Sequence, residues 1–523
     1  MRFSLKSVLL WSFFLIVLLL LTQFLSGLQT SPIVWGEEGL SLSHELWGHI
    51  YALWAVLRRY VYWILGGYAL LAALVIFLEE QNPDRAIIWL ATLLLFPFVG
   101  LLAYIVIGPD VRSVGHRWRV HRTSRRRSRV RALGEVEGPD AKSGLERLLA
   151  ASCGAVPTKR NSVEMLLDGE ATFGAIEKAL YNAEDYIHME YFSIASDGLG
   201  TKIKNLLLER VKAGVSVRVL YDAVGSWHMG RPYIEELRSA GVEIEPFMPT
   251  AFARFRSSIN HRDHRKIIVV DGRLGFVGGL NIGDMYLGLK PKMGYWRDTH
   301  IQVSGEAVRE LNREFLSHWG QCTGKYMDYH GFAYVPPTEA DTTPVQIATS
   351  GPGKDFRAIA DGYFYMIASA ERRIWITTPY LVPGSSICTA LIVAAKSGID
   401  VRIIIPSEAD HTLVFWASQF NVDQLLRSGV RIFSYRNGFI HAKTAVMDGA
   451  IVSVGTANLD TRSLEVNYEI QAFIRSRSVA EEFERAFLDD LEKCHEETLA
   501  NRQNRPFYKK VQDAVGRLWS SLL

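Results

Sequence analysis

Cysteine is scarce in this sequence, and acidic residues are missing from one long basic segment. The 523 residues include four cysteines, and none falls in the CxxC or Cys/His spacing of a zinc site. This scarcity also argues against a disulfide framework and suits a reducing compartment. The formal net charge is only +3, so the overall charge identifies no partner. A chain of this length predicts roughly two to four domains.

Charged residues are sparse in three apolar stretches near the N-terminus, Val8–Leu28, Tyr60–Leu78 and Ala86–Ile107. Each stretch approaches the about 20 residues that a helix needs to cross a bilayer. Residues 1–110 are therefore predicted to form a membrane region with two or three transmembrane helices. A cleaved signal peptide is an alternative for the first stretch, because two basic residues precede its apolar run.

The acid-free segment follows the third apolar stretch. Residues 111–134 contain nine arginines and no aspartate or glutamate. Such a run beside a membrane helix marks the cytoplasmic side, and it could also bind anionic headgroups. We expect residues 111–160 to be a basic cytoplasmic linker. Three full spans would then place the N-terminus outside, so the number of spans stays open.

From about residue 161, short apolar strands alternate with amphipathic helices, which predicts βαβ units and a mostly parallel sheet. The order of elements then recurs. The segment Ala213–Leu220 is echoed by Ser397–Ile404, and Ala240–Phe247 is echoed by Ser428–Tyr435. This repetition predicts two homologous α/β halves related by a pseudo-two-fold axis.

Each half carries the pattern H-x-K-x4-D followed by G-x-x-N, with seventeen positions from His to Asn in both copies. The candidate residues are His264, Lys266, Asp271 and Asn281 in the first copy and His441, Lys443, Asp448 and Asn458 in the second. A His and a Lys two apart on one apolar strand share a face. The glycine permits a tight turn before the asparagine.

This set of residues suits the cleavage of a phosphodiester. Imidazole has an ordinary pKa near about 6.5, so it can serve as a nucleophile or as a proton donor. Lysine and asparagine can donate hydrogen bonds to the phosphate oxygens. A further carboxylate could orient each histidine and fix its tautomer. The chemistry then requires no metal and no cofactor.

The paired motifs are the signature of the phospholipase D superfamily, and longer matches resemble the bacterial cardiolipin synthases. These matches are RKIIVVDGRLGFVGGLNIGDMYLG (Arg265–Gly288), GYWRDTH (Gly294–His300), TPYLVP (Thr378–Pro383), GFIHAKTAVMDG and SVGTANLDTRSLEVNYE (both within Gly438–Glu469), and AIIWLATLLLFPFVGLLAYIVIGP (Ala86–Pro109). One departure is Asp263, where similar sequences more often carry asparagine beside the first histidine.

The resemblance implies a role for each candidate. His264 would be the nucleophile that forms a phosphatidyl-histidine, and His441 the general acid and then the base. The two lysines and the two asparagines would hold the phosphate. Asp298 and Glu469 would orient the histidines, whereas Asp271 and Asp448 would set the geometry of the motif strands.

The resemblance also implies the fold and the setting. The fold would be α/β, a duplicated phospholipase D-type domain with mixed sheets behind N-terminal transmembrane helices. Its first half would span residues 161–330, and its second half, with a C-terminal amphipathic tail, residues 331–523. The enzyme would be a multi-pass protein of the bacterial inner membrane, with its catalytic halves facing the cytoplasm.

The implied reaction joins two phosphatidylglycerol molecules into cardiolipin and releases glycerol. Phosphatidylglycerol, other anionic phospholipids and the bilayer would be its partners, and no nucleic acid is expected. Alternatives are a phospholipase D hydrolase, a synthase that uses phosphatidylethanolamine, a phosphodiesterase acting on DNA, and a non-catalytic membrane scaffold. The apolar segments and the lack of interleaved aromatic platforms count against the nuclease.

The C-terminal tail has a helical face of apolar residues. The members of this face are Phe507, Val511, Val515, Leu518 and Leu522. Three basic residues, Lys509, Lys510 and Arg517, lie nearby and could contact headgroups. The pattern fits an interfacial helix on a membrane, and it fits equally a helix packed on the domain.

Overall fold

The protein is described by a computed structural model, which covers residues 143–247, 261–290, 293–336, 342–351, 357–408 and 410–519, with residue 338 and parts of 67–100. The chain divides into two compact units. One unit comprises Met1–Trp118 and Arg254–Asn260, and the other comprises Arg119–Ala253 and His261–Leu523.

The described part of the first unit contains helix α1, Pro83–Leu95. Its Trp89 and Leu93 are buried, whereas Leu94 and Leu95 are 81% and 70% exposed. In the part of the chain that the structure describes, no helix has the length and apolar character needed to cross a bilayer.

The expected transmembrane helices lie mainly beyond this described part. The stretch Val8–Leu28 falls outside the described residues, and Tyr60–Leu78 and Ala86–Ile107 are described only in places. The arginine-rich segment 111–134 is also outside them. The membrane region and the basic linker therefore stay predictions.

The second unit begins with the elements of the first half, although the short strand Pro157–Thr158 pairs with residues 345–346 in the sheet of the second half. In chain order the elements are α2 (Gly144–Cys153), β1 (Pro157–Thr158), β2 (Asn161–Asp168), α3 (Gly169–Tyr181), β3 (Tyr186–Tyr191), α4 (Gly198–Lys212), β4 (Ser216–Asp222), α5 (Arg231–Ser239), β5 (Glu243–Phe247), β6 (Lys266–Val270), β7 (Leu274–Gly278), β8 (Trp296–Gly305) and α6 (Glu306–Thr323). Short 3-10 helices occur at Trp227–Met229, Asp284–Leu287 and Tyr329–Gly331.

A second series of elements follows the same order. It comprises β9 (Val345–Ser350), α7 (Ala358–Ser369), β10 (Arg373–Thr377), β11 (Leu381–Val382), α8 (Ser385–Lys396), β12 (Asp400–Pro406), α9 (Thr412–Arg427), β13 (Arg431–Tyr435), β14 (Phe439–Ile440), β15 (Thr444–Met447), β16 (Ile451–Gly455), β17 (Leu459–Asp460), α10 (Thr461–Glu465), β18 (Glu469–Arg475), α11 (Arg477–Leu491), β19 (Cys494–Glu496), α12 (Leu499–Gln503) and α13 (Phe507–Trp519).

The two sheets have corresponding topologies. In the first, β3, β4 and β5 are parallel, and β6, β7 and β8 continue the sheet in antiparallel fashion. In the second, β10, β12 and β13 are parallel, and β15, β16 and β18 are antiparallel. This correspondence confirms the duplicated α/β domain with mixed sheets.

The expectation of a mostly parallel sheet is wrong. The βαβ pattern was clear only in the strands that helices connect, and these form the parallel part of each sheet. The motif strands follow as hairpins, whose short turns can join only antiparallel neighbours. Each sheet therefore combines a parallel set of three strands with an antiparallel set that contains the motif hairpin.

The antiparallel parts of the two sheets pack face to face and share one core. Ile267 and Val269 of β6 enter this core, whereas Ile268 and Val270 of the same strand pack under the helices of the first half. Successive side chains of a strand point to opposite faces, which explains this division. Strand β18 contributes Ile470 from the other side. The shared core holds the two motif hairpins next to each other.

Both motif hairpins turn on an Asp-Gly pair with positive φ. Asp271 and Gly272 have φ values of 53° and 58°, and Asp448 and Gly449 have values of 53° and 64°. A two-residue turn with positive φ at both positions matches the right-handed twist of the strands, and Asp-Gly is favoured there. The aspartate of the motif is therefore first of all a turn residue.

We predict that Asp271→Ala lowers the free energy of unfolding by about 2–3 kcal/mol, because it removes the acceptor of three backbone N–H groups at a position of positive φ. The Asp271 carboxylate accepts hydrogen bonds from the backbone N–H groups of residues 184, 185 and 186 at 2.8–2.9 Å. Asp271→Asn is the matched control, since it keeps one acceptor oxygen and tolerates the turn. Urea unfolding measures both variants, and an unchanged midpoint in the alanine variant would contradict this account.

Candidate active site

The histidines of the two motifs lie just before their strands. Strand β6 begins at Lys266 and β15 at Thr444, so His264, His441 and Lys443 precede the strands. The expectation that His and Lys lie together on one strand is therefore wrong. The histidine segments pair instead with the other half of the molecule: the N–H of His264 donates to Tyr468 O at 2.9 Å, and that of His441 donates to Arg297 O at 2.7 Å.

His264 forms a close pair with Glu469. The imidazole Nδ1 lies 3.0 Å from Glu469 Oε2, and the Phe192 ring lies edge-on to the imidazole at 5.0 Å. Burial lowers the pKa of His264, although the neighbouring carboxylate opposes this shift. Burial alone would raise the pKa of Glu469, but His264 and Lys266 hold it below its ordinary value. The pair therefore rests as a neutral imidazole beside a carboxylate, which leaves Nε2 available.

His441 forms the corresponding pair with Asp298. Its Nδ1 lies 2.7 Å from Asp298 Oδ2, and the Trp296 ring lies 5.1 Å from the imidazole. Burial lowers the pKa of His441 to about 4. Burial would raise the pKa of Asp298, but Lys443 and His441 hold it at about 2. A neutral imidazole again faces an ionised carboxylate.

Each histidine thus receives its carboxylate from the opposite half. His264 belongs to the first half and Glu469 to strand β18 of the second, whereas His441 belongs to the second half and Asp298 to strand β8 of the first. The pairing of β14 with β8 and the bridge between Asp263 and Tyr468 hold these segments together. The two motifs consequently form one site.

The motif lysines are buried in this site. Lys266 Nζ donates to the backbone oxygen of His264 at 2.7 Å, and Lys443 Nζ donates to that of His441. Burial lowers the pKa of Lys266 to about 7 and that of Lys443 to about 8, although Glu469 and Asp298 oppose both shifts. The lysines and the two carboxylates therefore act on one another as a single charged cluster.

The two asparagines are buried next to the cluster. Asn281 accepts a hydrogen bond from the N–H of Ser193 at 3.2 Å and donates to the hydroxyl of Tyr286 at 3.1 Å. Asn458 donates to the hydroxyl of Ser463 at 3.2 Å. These contacts fix both amide groups.

The two motif aspartates are occupied elsewhere. Asp448 accepts from the backbone N–H groups of residues 371, 372 and 373 at 2.8–2.9 Å, as Asp271 does at the equivalent turn. Both carboxylates tie a hairpin turn to the start of the neighbouring strand. The structure therefore does not bring these carboxylates to the histidines.

A second buried cluster lies behind His264. Glu190, Asp263 and His318 are the group that could hold a metal ion within the described residues. Burial and the nearby Glu190 raise the pKa of Asp263 well above its ordinary value. The Arg265 guanidinium contacts the His318 ring at 2.7 Å. The Arg265 guanidinium therefore already supplies positive charge to this cluster. In addition, a carboxyl that carries its proton is a poor metal ligand.

The two motifs differ at the residue that follows the second strand of each motif hairpin, and the sequence pattern alone did not reveal the role of this residue. Thr456 donates its hydroxyl to Glu469 Oε2 at 2.5 Å. Its counterpart in the first half is Gly279, where an added Cβ would overlap the Asp298 carboxylate. The sequence shows this difference as G-G-L-N in the first motif and G-T-A-N in the second. Its meaning depends on the imidazole–carboxylate pairs that form between the two halves.

The arrangement can perform transfer at a phosphodiester. Two neutral imidazoles have their Nδ1 atoms held by carboxylates, which fixes the tautomer and leaves each Nε2 free for a reaction. Two lysines provide positive charge for an anionic phosphate. The site therefore combines a nucleophile, a proton carrier and charge stabilisation.

The sequence matches two protein families. Residues 176–319 and 363–491 match the family described as cardiolipin synthase, PLD-like domain. Residues 68–109 match the phospholipase D-nuclease N-terminal family. The first match covers both halves of the duplicated domain.

Relatives agree with this match, and a solved structure has the same fold. The chain is 40% identical over 498 residues to a cardiolipin synthase of Geobacillus thermodenitrificans, covering 92% of this chain and 97% of that protein. It is 37% identical over 474 residues to the major cardiolipin synthase ClsA of Bacillus subtilis, covering 87% and 97%. A phosphatidylserine synthase from Haemophilus influenzae shares the fold, with a TM-score of 0.53 at 13% identity, covering 72% of this chain and 99% of that one.

The domain match over both halves and the identity along most of the chain show the same relationship. The chain belongs to the cardiolipin synthase family with its PLD-like domain, and it is a phospholipid phosphatidyltransferase.

Proposed function

We propose that this enzyme transfers a phosphatidyl group from one phosphatidylglycerol to another, forming cardiolipin and releasing glycerol. The observation that carries the proposal is the pair of imidazole–carboxylate contacts, His264 with Glu469 and His441 with Asp298. A site with two such pairs has one imidazole to bond the phosphorus and another to move the proton. The names of the relatives support the same reaction.

In the first step, His264 Nε2 attacks the phosphorus of the donor lipid. The P–N bond forms as the P–O bond to glycerol breaks, and His441 gives its proton to the departing oxygen. Glu469 stabilises the positive charge that develops on His264. Lys266 and Lys443 stabilise the negative charge on the phosphoryl oxygens.

In the second step, the glycerol hydroxyl of another phosphatidylglycerol attacks the phosphorus. The new P–O bond forms as the P–N bond breaks, and His441 takes the hydroxyl proton. His264 returns to its neutral form and His441 to its protonated form. The bonds broken and formed are of similar kind, so the reaction is reversible.

The proton on His441 requires the substrate. Burial holds the pKa of His441 at about 4 in the free site, so the imidazole is neutral there. An incoming phosphodiester brings a negative charge next to it and raises that pKa, because an opposite charge favours the protonated form. The general acid is therefore charged only when there is a leaving group to protonate.

The setting of the reaction is also a proposal. Residues 1–110 would anchor the enzyme in the bacterial inner membrane, residues 111–160 would form a basic linker, and 161–330 and 331–523 would be the catalytic halves on the cytoplasmic side. The acid-free arginine segment and the N-terminal family match support this layout. Both lipid substrates could then reach the site without leaving the bilayer.

We predict that the purified enzyme converts phosphatidylglycerol alone into cardiolipin and free glycerol in equal amounts. The phosphatidyl group on His264 can pass to water, an alcohol or a second lipid, and the acceptor held in the site decides among them. The ratio of products measures this choice. Phosphatidic acid as the main product would identify a hydrolase, and turnover that begins only after phosphatidylethanolamine is added would identify the mixed-donor synthase.

We predict that kcat/KM falls as the pH rises through about 7 to 8, because the two lysines lose their charge in the free site there. Each lysine is charged below its pKa and binds the anionic phosphate, whereas above it the neutral amine binds weakly. The burial that lowers the pKa of His264 keeps this nucleophile neutral, and activity present, below the ordinary imidazole range. Lys266→Arg stays charged, so the alkaline limb should then follow Lys443 and move upward. An identical limb in both proteins would contradict this assignment.

We predict that a reporter fused after Leu523 behaves as a cytoplasmic one, because the arginine segment keeps the following chain inside. Protease added to spheroplasts should leave the C-terminal region intact until the membrane is opened. A periplasmic reporter signal would reverse the proposed topology without affecting the assigned chemistry.

A further inference from the structure

Helix α13 is attached to the second half by its less apolar side. Gly516 packs so closely on Trp416 and Ala417 of α9 that an added Cβ would overlap their backbone. Asp513 is buried beside it and binds Arg505 at 2.6 Å. These contacts fix which side of the helix faces the domain.

The opposite side of α13 is apolar and exposed. Phe507 is 81% exposed and Val511 is 45% exposed, and both lie on one face because residues four apart are neighbours on a helix. Tyr508 is 59% exposed beside them. A helix that covers a soluble domain normally turns its apolar stripe inward. This helix presents apolar side chains outward while its one acidic residue, Asp513, is paired inward.

The charge around this face is positive. Lys509 and Lys510 are exposed on the first turns of the helix, and Lys510 Nζ donates to the backbone of Gln503 at 3.1 Å. The Arg517 guanidinium lies over the Phe420 ring at 4.9 Å. An apolar face flanked by basic residues is complementary to an anionic lipid surface.

The supporting helix connects this face to the active site. Helix α9 begins at Thr412, directly after the loop that carries Asp410, and Leu413 in its first turn is 43% exposed. Asp410 accepts a hydrogen bond from the Tyr380 hydroxyl, and its charge acts on the pKa of His441. A lipid surface that binds α13 would therefore extend along α9 to the loop next to His441.

We propose that the exposed face of α13 docks on an anionic lipid surface and holds the second half of the catalytic domain against the bilayer. The contact lies outside the catalytic residues, so it does not depend on the proposed choice of lipid acceptor. Of the two possibilities that the sequence left open for the tail, packing on the domain is observed, and the proposal adds that the other side of the helix faces lipid.

The first test measures contact without using activity. The full-length enzyme is reconstituted in phosphatidylcholine vesicles with or without phosphatidylglycerol, and exposed lysines are modified with a water-soluble amine reagent and identified by mass spectrometry. Lys510, which is exposed and lies three residues after Phe507, should be modified about tenfold more slowly when phosphatidylglycerol is present, because docking excludes the reagent. Lys212, an exposed lysine of α4, is the control and should not change.

The alternatives give different results in the same experiment. Equal modification of Lys510 with both lipids would overturn the proposal. Protection that is independent of phosphatidylglycerol but rises with enzyme concentration would show that a second copy covers the face, which would also overturn it.

The second test uses charge substitutions. Phe507→Asp with Val511→Asp should lower turnover of long-chain phosphatidylglycerol in vesicles by about tenfold and leave turnover of soluble short-chain phosphatidylglycerol nearly unchanged. Val393→Asp is the matched control, since Val393 of α8 is 56% exposed and lies on another helix. Equal losses on both substrates would mean a structural defect, and no loss on vesicles would contradict the docking. If the wild-type enzyme failed to turn over the short-chain substrate, the proposed function would be wrong while the lysine protection could still hold.

Discussion

The two crosswise contacts between imidazole and carboxylate set the constraint on which the rest of the site depends. Neither half contains a complete pair, because Glu469 serves His264 and Asp298 serves His441. The distance between imidazole and carboxylate in each pair therefore depends on how the two sheets pack on each other. The shared core of β-branched side chains between the sheets, with Val269 and Ile470 among its members, supplies this rigidity.

Burial has opposite effects on the groups in this site. Burial lowers the pKa of the lysines and histidines, and it would raise the pKa of the two carboxylates. Each charged group therefore keeps its charge because of the opposite charges next to it. A pair of lysines next to two carboxylates is nearly neutral overall, which lowers the cost of burying them. In the proposed reaction, an anionic phosphate moves this balance towards negative charge, which favours the protonated form of His441. The charges of the site are therefore complementary to an anion.

Much of the fold could be predicted from the sequence, because its signals are local. The alternation of strands and helices, the echo between the segments at 213–220 and 397–404, and the equal spacing of the two motifs all indicate a duplicated α/β domain. Glu469 and Asp298 could be named only through family resemblance, since they lie 205 and 143 positions from their histidines. The position of the histidines before their strands depends on pairing with the other half, which no local pattern shows. The same is true of Thr456 and of the outward apolar face of α13.

A direct test of the central claim is the identity of the residue that becomes bonded to phosphorus. Enzyme mixed briefly with phosphatidylglycerol is denatured at neutral pH, digested and analysed by mass spectrometry. The account predicts a phosphatidyl group on His264, formed more slowly in Glu469→Gln and not formed in His264→Gln. A phosphatidyl group on His441 instead, or turnover without any covalent intermediate, would contradict the account.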